Sequence, residues 1–99
     1  MPSYRSILTV TVLKTGHRPE DVESAARNAV RRTTVLESFQ VDVVRGEPRV
    51  TVRFTGSDDV EARRVHADVV DAVGKVARVE RDWPAVVAGG RSVPLGRRR

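Results

Sequence analysis

Six side chains that could hold an anion stand beside turns in this sequence: Lys14, His17, Arg18, Arg45, Arg49 and Lys75. Phosphate sites also recruit free backbone N–H groups, at a helix N-terminus or in a glycine-rich nest. The segment "LKTGHRPE" has one glycine, Gly16, and its helix start already carries Glu20 and Asp21, while Glu47 sits between Arg45 and Arg49. The cations therefore read first as loop charge and second as anion or nucleic-acid contacts. His17 is a loop residue. His66 borders an apolar stripe, where a partly buried, hydrogen-bonded imidazole is expected. Neither histidine has a second one at metal spacing, and H-E-x-x-H is absent. With no cysteine either, no metal or other cofactor is expected. Asp58, Asp59 and Glu61 are accounted for by the start of a helix. Ser24, Ser38 and Ser57 lie outside any G-x-S-x-G elbow. No catalytic constellation emerges, so the chain reads as a non-enzyme.

The charge is unevenly placed. Arg91, Arg97, Arg98 and Arg99 account for +4 of the net +5, which leaves residues 1–90 at +1. The basic residues are 16 Arg and 2 Lys, a skew that GC-rich coding alone would produce. The high isoelectric point is thus weak evidence for a nucleic-acid partner. No apolar run reaches the roughly 18 residues of a membrane span, and "MPSYRSILTVTVLK" alternates as a strand does rather than forming a signal peptide. A cytoplasmic location and no membrane partner are expected.

The elements that must position these groups follow from periodicity. Leu8, Val10 and Val12 alternate with Thr9 and Thr11 as a first strand. Pro19 suits a first helical position, and Val22, Ala25, Ala26, Ala29 and Val30 form a helical stripe. Phe39, Val41 and Val43 face Val50, Val52 and Phe54 if position i pairs with 93 − i. Pro48 cannot donate to a ladder, so a loose four-residue loop is expected between them. Asp58 with Glu61 opens a second helix, with Ala62, Val65, Val69, Ala72, Val73 and Val76 as its stripe, and Gly74 ends it. A last strand follows, with Ala77, Val79 and Trp83 inward and Pro84 as its stop.

The order β-α-β-β-α-β predicts a ferredoxin-like α+β sandwich, a four-stranded antiparallel sheet of order 4-1-3-2 with both helices on one face. Residues 1–83 make the domain. Residues 84–99 are a C-terminal extension, an arm over 84–95 and a basic tail over 96–99. This topology gathers the six turn cations at one end. Acylphosphatase shares the topology, but its glycine-rich phosphate loop is not reproduced here. RNA-recognition domains stack bases on central-strand aromatics, where this chain places Thr, Ile and Arg. The open face, with Ile7, Thr9, Thr11, Leu13, Thr51 and Arg53, instead suits burial against a second copy. The expected function is a small, non-catalytic protein–protein interaction or regulatory module that forms a homodimer through this face. The alternative is a basic nucleic-acid- or ribosome-associated protein, using the turn cations and Arg97, Arg98 and Arg99.

Overall fold

The computed structural model describes residues 1–96; Arg97, Arg98 and Arg99 lie outside them. The elements are β1 (Ser3–Leu13), α1 (Pro19–Arg31), β2 (Leu36–Val44), β3 (Glu47–Thr55), α2 (Asp59–Gly74), β4 (Ala77–Ala88) and β5 (Arg91–Pro94). They form one antiparallel sheet of order β2-β3-β1-β4-β5. The ferredoxin-like order inferred from the sequence is present, with a fifth strand added beyond β4. Pro84 does not stop β4. It pairs with Ser6, and the strand runs on to Ala88 before turning at Gly89 and Gly90 into β5.

Both helices cover one face. Leu8, Val52 and Phe54 from the sheet meet Ala26 and Val30 of α1 and Val65, Val69 and Val73 of α2 in a fully buried core. Each such side chain of Val size or larger contributes roughly 1.5–3 kcal/mol of transfer free energy. The helix starts follow from local chemistry. Asp58 accepts a hydrogen bond from the Glu61 backbone N–H at 2.8 Å, and Glu61 accepts one from Ser57 at 2.8 Å. At α1, Asp21 accepts from the Arg18 backbone N–H at 3.2 Å, which satisfies one of the unpaired donors at the helix start.

Three local features differ from the sequence reading. The β2–β3 register is Val41 opposite Val50 and Phe39 opposite Val52, two residues away from the expected pairing. The turn is tight, with Arg45 at φ 55° and Gly46 at φ 79°, the positive-φ pair of a two-residue I′ hairpin. Pro48 is tolerated because it faces Val43 in the pair next to the closing pair, where no ladder bond is exchanged. On its other side, β1–β3 pairing begins only at Thr9–Arg49.

The other two features are bulges. Glu80 of β4 has no partner between Arg81, opposite Thr9, and Val79, opposite Val10. Thr11 of β1 has none between Val10 and Val12. One extra residue reverses the faces on either side of it. Beyond Thr11, Leu13 stands opposite the core residue Ala77, while Val12 stands opposite exposed Arg78 and is itself 59% exposed. Across Glu80, Asp82 is opposite core Leu8, and Trp83 is opposite Ile7 on the helix-free face. The expected inward Val12 and Trp83, and the expected outward Leu13, are each reversed by a bulge.

Candidate functional site

The helix side of the sheet is incompletely covered. The first turns of α1 (Pro19, Glu20, Val22 and Glu23) face the end of β1 and the β2–β3 hairpin across a cleft of about 650 Å³. Its walls are mainly apolar, with Val10, Phe39, Val41, Pro48 and Val50 on the sheet side. The cleft exists because α1 packs against the near half of β2 and leaves the far half bare. Val41, on the wall of this cleft, is 55% exposed, although alternation assigns it to the core. A contiguous exposed apolar surface of this kind marks a binding region. The ionisable lining groups are Glu20 and Glu23. Glu23 is held by Arg27 at 2.6 Å, and the same arginine lies over the Phe39 ring, 5.6 Å from its centroid. Glu20 has no ion-pair partner among the described residues.

A second constellation lies under α2. Ser6 Oγ is 2.6 Å from His66 Nδ1, and His66 Nε2 is 2.7 Å from Asp82 Oδ1. A carboxylate can only accept, so Nε2–H donates to Asp82 and Nδ1 accepts the Ser6 hydroxyl proton. The connectivity is that of a Ser-His-Asp relay, but Ser6 is 0% exposed. No carbonyl can reach its oxygen, so the group pins α2 to β1 and β4 and attacks nothing. Burial holds the His66 pKa below its ordinary value, against the opposing pull of Asp82. Sequence reasoning placed His66 correctly but missed both partners. Ser6 carried a signal, because it shares the inward parity of Leu8. Asp82 carried none, because only the Glu80 bulge turns it inward.

Of the six turn cations, Arg45 and Arg49 line one cavity on the helix-free side, while Lys14, His17 and Lys75 are engaged elsewhere. Lys14 donates from Nζ to the Gly74 carbonyl at 2.6 Å, which caps the end of α2. His17 pairs with Asp21 at 2.9 Å, and this contact, with the Arg18 backbone N–H, lowers the Asp21 pKa. Lys75 is the C-cap of α2 and Arg45 sits in the hairpin turn. Arg49 faces the helix-free side, its guanidinium 5.2 Å from the Trp83 centroid. Of the residues assigned to the open face, Ile7, Thr9, Thr51 and Arg53 are there, in the pairs Ile7–Thr51, Thr9–Arg49 and Arg5–Arg53. Thr11 is bulged and lines the apolar cleft, and Leu13 has crossed to the helix side.

No protein-family model matches the sequence, and no curated protein matches it significantly. Solved structures do match the fold. One is a candidate antibiotic biosynthesis monooxygenase from Chloroflexus aurantiacus, with TM-score 0.50 and 12% identity, covering 92% of this chain and 98% of that one. Another is a candidate chlorite dismutase, with TM-score 0.51 and 13% identity, covering 87% of this chain and 42% of that one. Similarity at this identity establishes a shared ferredoxin-like fold. The reading of the chain as a non-catalytic, non-enzymatic interaction module is corrected by this finding, since both neighbours are described as enzymes.

Proposed function

We propose that this protein binds a small, largely apolar organic molecule in the cleft between α1 and the β2–β3 hairpin and acts on it as an enzyme. The cleft itself carries the reading. Its volume, about 650 Å³, falls within the roughly 300–1,000 Å³ of small-molecule sites. Its apolar walls would exclude water, and Glu20 stands on its rim as a carboxylate free to accept a proton from a bound hydroxyl or an acidic C–H. The first fold neighbour, described as a monooxygenase, favours oxygenation as the reaction class. Among the described residues no group of three or more His, Cys, Asp or Glu is placed to hold a metal.

The test is a panel of phenols and hydroquinones followed by amide chemical shifts and by oxygen uptake. Bound compounds should shift Val12, Val41 and Phe39 resonances. Val41→Glu should abolish binding without unfolding the chain, since Val41 is already half exposed. Glu20→Gln should keep binding and lose turnover. Shifts confined to other surfaces, or no turnover with any bound compound, would refute the reading.

We further propose that the chain pairs with a second copy, and that it works in the cytoplasm. No helix among the described residues is long and apolar enough to cross a membrane. Sedimentation at high concentration as an 11 kDa species would remove the pairing from the proposal.

A further inference from the structure

The helix-free side of the sheet holds a polar cavity of about 260 Å³, lined by Thr9, Val44, Arg45, Glu47, Arg49 and Arg81. Three arginines meet one carboxylate there. That carboxylate is already taken, since Arg81 Nη2 donates to Glu47 Oε1 at 2.6 Å. Arg45 and Arg49 have no ion-pair partner among the described residues. The Arg49 guanidinium carbon lies over the Trp83 ring, 5.2 Å from its centroid, and its Nε is buried with no hydrogen-bond acceptor. A buried donor left unpaired is uncommon and costly, and the planar fork of a guanidinium is suited to two-point recognition of an oxyanion. The cavity continues into a groove that shares Val44 and Arg49 and is floored by Ile7, Thr51 and Trp83.

We propose that this cavity is an oxyanion site, holding the phosphate or carboxylate head of a small molecule whose body lies along the groove beside Trp83. Arg49 supplies the oriented donors, Arg45 adds charge at the mouth, and the Arg81–Glu47 pair closes one wall. The site lies on the opposite side of the sheet from the apolar cleft and does not depend on the reading of that cleft.

The probes are inorganic phosphate and malonate, titrated into the full chain by calorimetry with ionic strength held constant by sodium chloride. Saturable one-to-one binding of either is expected, with movement of the Trp83 indole N–H resonance. Binding of phosphate alone identifies a phosphate head, and binding of malonate alone a carboxylate head. Arg49→Gln should weaken binding about tenfold or more, as loss of a charge-assisted contact does. Arg45→Asn should also weaken it while preserving the turn, because asparagine tolerates positive φ, and it serves as the test if Arg49→Gln does not fold. Arg91→Gln, on exposed β5, should change nothing. No saturable binding of either anion, or equal weakening by Arg91→Gln, overturns the proposal.

Discussion

His66 and Asp82 meet at 2.7 Å because β4 carries one unpaired residue, Glu80, between Val79 and Arg81. Without unpaired Glu80, the parity that points Val79 at the helices would send Asp82 to the other face and bring Trp83 in. The bulge thus selects a carboxylate for the buried imidazole and an indole for the open face.

The His66 contact makes stability pH-dependent. Its folded pKa lies below the ordinary 6.5 because burial disfavours the charged ring. The unfolded chain therefore binds the proton first as pH falls, and stability complete above pH 6.5 is lost on the way down to the folded pKa. Urea midpoints should fall between pH 7 and pH 5.5, with a flatter profile in His66→Leu. Asp82→Asn removes the charge that favours the protonated ring, so its His66 resonance should titrate lower still. A higher titration midpoint in that variant would contradict the assigned contact.

Trp83, the single tryptophan, reports its own placement. On the helix-free face beneath Arg49 it should be quenched by acrylamide in the native state. Arg49→Met should change its emission and leave the far-ultraviolet circular dichroism intact. Emission typical of a sealed core, unchanged by Arg49→Met, would place the indole back among the helices.

The hairpin turn gives opposite signs at adjacent residues. A β-carbon in the left-handed region costs roughly 1–2 kcal/mol, so Gly46→Ala should destabilise by about that amount. Arg45→Gly should stabilise or be neutral, because Arg45 already bears that strain at φ 55°. Thermal melts of the two variants check the pair. A loose loop would show neither effect.

Gly56 has a different constraint. A β-carbon there would lie 2.7 Å from the Tyr4 ring. That ring cannot retreat, being buried, stacked on Phe54 with centroids 6.0 Å apart, and bonded through its hydroxyl to Asp59 at 2.9 Å. Gly56→Ala should therefore cost about 1–3 kcal/mol, as overpacking does, and Tyr4→Leu should relieve much of it. Equal melting of Gly56→Ala and wild type would show that the strand yields.

Strand order and helix stripes were legible in the sequence because they rest on period, and Leu8, Val52, Val65 and Val69 advertise it. The hairpin register was not, because matching apolar residues across two strands is unchanged by a slip of two. The decisive signal was Arg45-Gly46, whose glycine suits a turn with positive φ, and it was outweighed by Pro48. The bulges at Thr11 and Glu80 leave no trace in composition, so Asp82 and Trp83 were assigned to each other's faces. The apolar cleft was hidden for a related reason. Val41 has the type and spacing of a core residue, and only the packing of α1 shows that nothing covers it.

One strand separates the two ligand spaces. Pro48 and Val50 line the apolar cleft, while Glu47 and Arg49 line the arginine cavity behind it. On β1, Val10 and Thr9 divide in the same way. The partition is a single peptide thick, and its two surfaces are written in alternate letters. Gain or loss of one residue at its hairpin end would trade one room's furnishing for the other's, delivering charge to the oily space and methyl groups to the basic one. A change of two would leave both as they are. An odd change within the paired part of this strand therefore has to be taken up as a bulge, as at Thr11 and Glu80, if both spaces are to keep their linings.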